Sequence, residues 1–221
     1  MKPWATDIFF NKASRAGSKD EWCFLREQQG IRIYYQARPG TRLVAFKGET
    51  VFHAPIERVF TVLTDPTLRL QWVDRMLECQ LLESSEDGSE LIEYFRINMP
   101  WPLCDRYFTT KTSVDYSPED SYLSMVSEAA ENSQLSIPDD LVRGRVEDAR
   151  TTLRQVDAKN TAIVMSALVD PGGVLPHLVV NLFQREWAYN TLSRLHLISK
   201  NQAIPICQLY HMVTSNHKNI S

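Results

Sequence analysis

A change of period constrains this chain more than any other feature. Between about Met76 and Val169 the signals are those of β-strands, in the segments RMLECQLLES, ELIEYFRINM, RYFTTKTSVDY, SYLSMVSEA, LVRGRVEDARTTLRQV and TAIVMSALV. Turn-like residues separate them, such as Glu86-Asp87-Gly88 and Ser117-Pro118-Glu119-Asp120, and Asn98 to Asp105 makes a wider Pro-rich loop. After Asp170-Pro171-Gly172-Gly173 the period changes to about 3.6, and Leu175, Leu178, Val179, Leu182, Phe183, Trp187, Leu192 and Leu195 form a broad apolar stripe. No Gly or Pro interrupts the run from Pro176 to Asn201, and at ~1.5 Å per residue such a helix can cross a whole sheet.

The first third of the chain adds to this frame. GIRIYYQAR and VAFKGETVFHA flank Pro39-Gly40 as a β-hairpin, and Pro55 to Thr64 has helical spacing. Asp65 is placed to cap a second short helix that starts at Pro66 and carries Leu68, Trp72 and Val73 on its apolar side. The expected fold class is α+β: about eight or nine strands in an antiparallel meander, with one face covered by the C-terminal helix. The expected division is an N-terminal helix and linker at 1–20, one domain at 21–204, and a polar tail at 205–221. That tail is expected to fray, with Ile206, Leu209 and Met212 available to dock locally.

Composition excludes several classes of function. With 43% hydrophobic and 23% charged residues the chain is too apolar to be disordered, and its net charge of -3 offers no general attraction for nucleic acid. No segment has the ~18 to 20 uninterrupted apolar residues of a membrane span, and the N-terminus has no signal-peptide pattern, so the expectation is a soluble, cytoplasmic protein. Cys23, Cys79, Cys104 and Cys207 form no CxxC pair and are read as free thiols. The five histidines have no metal-ligand spacing, and there is no GxSxG elbow or phosphate-cradling glycine loop, so neither a metal nor a cofactor is expected.

A curved sheet closed by one amphipathic helix either fills the space between them with side chains or leaves a cavity suited to an apolar small molecule. Periodicity leaves both open. Alternation on ELIEYFRINM puts Leu91, Glu93, Phe95, Ile97 and Met99 on one face, so a carboxylate lies in an apolar row. In the next strand Arg106, Phe108, Thr110, Thr112 and Val114 form the inward row. The hairpin is expected to bring Glu93 toward Thr112, with Arg106 nearer the loop. A buried carboxylate without a partner is costly, so Glu93 is expected to meet Arg106, a hydroxyl such as Thr112, water or the polar end of a ligand.

Three stretches carry a resemblance to a known family. GIRIYYQAR, followed by the run to HAPIERVFTVLTDPTLRLQWVD with Trp72 and Asp74, is the first. Trp101-Pro102-Leu103-Cys104-Asp105-Arg106-Tyr107-Phe108 is the second. The third runs from Val142-Arg143-Gly144 through Asp170-Pro171-Gly172-Gly173 to Pro176 and Asn181. From about Trp22 to Asn201 the chain resembles the START (StAR-related lipid-transfer) domains of the helix-grip superfamily. Two positions depart from the family pattern. Tyr107 stands where the family usually has Asp, and Thr112 stands where members that grip phospholipid or pair charges inside the tunnel often have Arg, with Lys111 on the opposite strand face.

The resemblance implies a non-catalytic domain whose tunnel holds one lipid or other hydrophobic molecule, carried or sensed by a free-standing protein that touches membranes transiently. The residues expected at the ligand are Glu93, Phe95, Ile97, Arg106, Phe108, Thr110, Thr112, Leu178, Leu182 and Phe183. Trp101, Gly172 and Val174 are expected at the access route, where an exposed Trp can meet the headgroup region of a membrane. Two other readings compete: a cyclase or dehydratase of the wider superfamily using Glu93, Arg106 and a Tyr, and a protein-interaction module with a filled core.

Overall fold

The computed structural model describes residues 21–38, 40–41, 43–131, 135–173, 175 and 177–216, and within 177–185 it describes the backbone only. Two strands open the chain, β1 (Cys23–Gln28) and β2 (Ile31–Ala37), joined at Gln29 and Gly30, whose φ values of 51° and 76° give the doubly left-handed turn of a tight hairpin. Next come β3 (Val44–Phe52), α1 (Ile56–Thr64) and α2 (Pro66–Trp72). Asp65 caps α2 by accepting from the Thr67 and Leu68 backbone N–H groups at 2.8 and 3.1 Å. The remaining strands are β4 (Met76–Ser84), β5 (Glu90–Ile97), β6 (Arg106–Ser117), β7 (Tyr122–Ala129), β8 (Val142–Arg143), β9 (Arg145–Asp157) and β10 (Asn160–Asp170), followed by α3 (His177–Ser199) and α4 (Gln208–Asn216).

The α+β class and the long C-terminal helix are as expected, but the sheet is not a plain meander. Its order is β1-β2-β3-β10-β9-β7-β6-β5-β4, with β8 pairing parallel to β6. After β3 the chain leaves the sheet through α1 and α2 and returns at the far edge as β4. It then winds back until β10 pairs with β3. Ten strands replace eight or nine because β1 lacks a clear alternation, and because Gly144 separates β8 from β9.

Inward residues of β7, β9 and β10 meet in a row, Leu123 opposite Leu153 opposite Ile163, and all three are buried. Val59, Phe60, Val62 and Leu63 of α1 pack in the same cluster, with Leu192 and Leu195 of α3. The expected frayed tail instead contains α4. Val213 is buried, Leu209 and Tyr210 pack against the core, and a Cβ on Gly88 would lie 2.7 Å from Leu209 and 3.1 Å from Val213. Among the described residues no helix is long and apolar enough to cross a membrane, and no three His, Cys, Asp or Glu side chains cluster to hold a metal ion.

Candidate functional site

Beyond the packed row the sheet and helices separate. A cavity of about 550 Å³ lies between the concave face, α2 and α3. Glu93, Phe95 and Ile97 of β5 and Arg106, Phe108, Thr110 and Thr112 of β6 all line it. Their alternation explains this: each is separated from the next by one residue whose side chain points to the other face. Phe95 and Phe108 stack at 4.9 Å between ring centroids, forming an aromatic pair midway along the wall. The side chains of Leu178, Leu182 and Phe183 and the whole of Val174 lie outside the described residues.

The expected partner of Glu93 is corrected. Ile97 pairs with Arg106, which sets Glu93 opposite Thr110, and Leu91 opposite Thr112. The ladder ends at Ile97 because Asn98 and Met99 are drawn away. The Asn98 N–H donates to the Arg75 carbonyl at 2.8 Å, and the Met99 N–H donates to the Asp105 carboxylate at 3.0 Å. Glu93 accepts from Arg69 of α2 at 2.6 Å, an ion pair with both side chains largely buried. Burial works most strongly against the charge on Arg69, but Glu93, by charge and hydrogen bond, and Cys79 together outweigh it and hold the guanidinium above its ordinary pKa. Burial also pushes the nearby Cys79 thiol up.

Thr112 instead shares a hydrogen bond with Ser127 at 2.7 Å. Arg106 is buried and donates to three backbone carbonyls: Pro171 at 3.1 Å, Gly172 at 3.4 Å, and Cys104. It thereby ties the start of β6 to the turn before α3. Gly172 is required there, since it has φ +67° and a Cβ would come within 2.1 Å of the Arg143 carbonyl oxygen.

One end of the cavity is ringed by Asp74, Arg75, Asn98, Met99, Pro171 and Leu175, with Asn98 exposed. Trp101 extends from the adjoining loop and is 93% exposed. The loop base is held by Asp105, whose carboxyl is kept below its ordinary pKa, chiefly by the hydrogen bonds from Arg96 at 3.0 and 2.6 Å.

Several wall residues escaped the sequence reading. The period-two argument that selected β5 and β6 extends to Met125 and Ser127 of β7, Ala149 and Thr151 of β9, and Met165 and Ala167 of β10, once those strands are known to share the face. Arg69 and Trp72 lie three residues apart on α2, hence on one helix side; an Arg one turn before a core Trp was the available signal.

The START domain profile matches residues 9–202. Among solved structures, human STARD10 superposes with a TM-score of 0.74 at 20% identity, covering 89% of this chain and 76% of that one. A STAR-related lipid transfer protein fragment from Xanthomonas axonopodis gives 0.71 at 24% identity, covering 82% and 100%. Human StAR-related lipid transfer protein 5 gives 0.73 at 19% identity, covering 81% and 86%. No curated protein matches. At these identities the structural likeness establishes the fold, and the profile establishes the lineage: the chain belongs to the START domain family.

Proposed function

We propose that this protein binds one hydrophobic, lipid-like molecule in its internal cavity and carries or senses it without altering it. The observation that supports this is the cavity itself, about 550 Å³ in size, walled largely by apolar side chains with a few buried polar groups. That combination suits a small amphiphile. The names of the similar structures, lipid transfer proteins from human and Xanthomonas axonopodis, point the same way. The cyclase reading needs a free acid or base, whereas Glu93 is engaged by Arg69 at 2.6 Å. Native mass spectrometry of freshly purified protein tests the proposal. A co-purifying mass released on denaturation, or uptake of an added lipid at one per chain, is expected; neither occurring, or an added lipid emerging chemically changed, overturns it.

The exposed Trp101, beside the ring of residues at one cavity end, supports transient contact with a membrane interface during loading. Co-flotation with phospholipid vesicles should fall for Trp101→Ala; equal flotation of parent and variant removes Trp101 from the contact. All four cysteines are free, which suits a reducing cytoplasm.

A further inference from the structure

Three acidic residues and three arginines, Arg69, Arg75 and Arg106, line the cavity wall, but they are not matched one to one. Its acidic residues are Asp74, Glu93 and Glu186, and each already faces an arginine: Arg194 at 2.8 Å, Arg69 at 2.6 Å and Arg26 at 2.6 Å. Arg106 is different. It is 4% exposed, lines the cavity, and among the described residues has no carboxylate in ion-pair contact. Its three carbonyl partners satisfy donors but bring no net negative charge, and a desolvated cation without a counter-ion is costly. An anion in the cavity would supply one.

Deeper along the same wall the unused valences are neutral. Glu93 and Arg69 cancel each other in charge, but among the described residues only one Glu93 oxygen is taken, and the buried Arg69 Nε has no hydrogen-bond partner. Thr110, opposite Glu93, makes no side-chain hydrogen bond among the described residues. A hydroxyl fits this place, because it donates to a carboxylate oxygen and accepts from an N–H at once. Arg106 sits opposite Ile97, four residues along β5 from Glu93, so the two places are about 14 Å apart at ~3.4 Å per residue. The stacked Phe95 and Phe108 lie between them.

The geometry points to a ligand class: a singly anionic amphiphile whose acid group meets Arg106 and whose second polar group, a neutral hydroxyl, meets Glu93, Arg69 and Thr110, with its apolar middle against Phe95 and Phe108. This rests on the cavity being a ligand site.

Calorimetric titration of the delipidated full chain tests this with four probes: a twelve-carbon ω-hydroxy fatty acid, the same acid without its hydroxyl, the methyl ester of the ω-hydroxy acid, and a phosphatidylcholine. The ω-hydroxy acid should bind tightest, with loss of the negative charge weakening it by about tenfold or more and loss of the hydroxyl by several-fold. Thr110→Val should shrink the hydroxyl preference and leave the charge preference intact, and Arg106→Gln should shrink the charge preference. The comparison of acid with ester on the parent needs no variant, so a misfolded Arg106 variant leaves the test standing. Equal affinity for acid and ester, or preference for the phosphatidylcholine, overturns the inference while leaving the cavity as a ligand site. Binding of no probe at all overturns the cavity reading and this inference with it.

Discussion

The row Leu123, Leu153 and Ile163 and the row Thr112, Ser127, Ala149 and Ala167 cross the same concave face of the same sheet, four residues apart along the strands they share. The first is packed solid under α1 and α3; the second lines the cavity. Both rows alternate correctly with the outer face, so period two does not distinguish them. Side-chain size does. Branched aliphatics fill the gap between sheet and helix where α1 covers it, whereas Ala, Ser and Thr stop short of a roof made by Trp72 and Trp187. The cavity is therefore written into volumes at inward positions rather than into the pattern, and the two halves should respond differently to the same change.

The largest difference is expected for truncation. Leu153→Ala should lower stability to unfolding by about 2–5 kcal/mol, through lost transfer energy and an unfilled hole under α1. Thr151→Ala, two residues along the same strand but on the cavity wall, should cost less than about 1 kcal/mol, since few atoms close over it. Urea titrations read both, and comparable losses would mean that the cavity half is packed after all.

Next is the ion pair at the cavity wall. Arg69→Met leaves the Glu93 carboxylate buried without its counter-ion and should cost about 3 kcal/mol, while Arg69→Met combined with Glu93→Leu should recover most of it. If the single and double variants are equally unstable, the pair is not what holds α2 against β5.

Smaller again is the effect of adding atoms. A Cβ on Gly48 of β3 would come within 2.4 Å of a Leu192 methyl, and Leu192 is wholly buried. Gly48→Ala should therefore cost about 1–3 kcal/mol by overpacking. Ala167→Leu adds three carbons to the cavity wall and should change stability by less than about 1 kcal/mol while reducing uptake of any ligand. Thermal melts with and without lipid separate the two; a large loss from Ala167→Leu would place that side chain in packed surroundings.

These contrasts also explain what was legible beforehand. The long helix, the Asp65 cap, the inward rows of β5 and β6 and the exposed Trp101 all follow from period, cap chemistry and loop composition, which are local. The partner of Glu93 was not local. It depends on where the β5–β6 ladder stops, which Asp105 decides by drawing off Met99, and on where α2 lands, which no spacing in the sequence encodes. Strand order was missed because β3 and β10 pair across more than a hundred residues of chain. α4 was missed because its apolar contacts, Leu209, Tyr210 and Val213, sit in an otherwise polar segment.

The last expected effect belongs to the packed half alone. His196 of α3 stacks on Phe52 at 4.7 Å, and its Nε2 accepts from the His53 backbone N–H at 3.1 Å. Burial is the main reason its pKa falls to about 4, with the charges of Lys200 and His53 adding to it. The imidazolium would lose the acceptor that His53 uses, and His53 itself is held by Asn160 at 2.7 Å. Since the folded state resists protonation, the unfolded chain binds more protons between pH about 4 and about 6.5. His196 therefore contributes stability that is fully present above about pH 6.5 and is lost as pH falls toward 4. Partial exposure reduces the effect to about 1 kcal/mol between pH 7 and 5. His196→Gln keeps an acceptor but cannot titrate, so urea midpoints of the variant should vary less with pH across this window than those of the parent. His196 is not on the cavity wall, so ligand occupancy should stay level over the same range in both proteins. An unchanged slope in His196→Gln would move the pH response to another group.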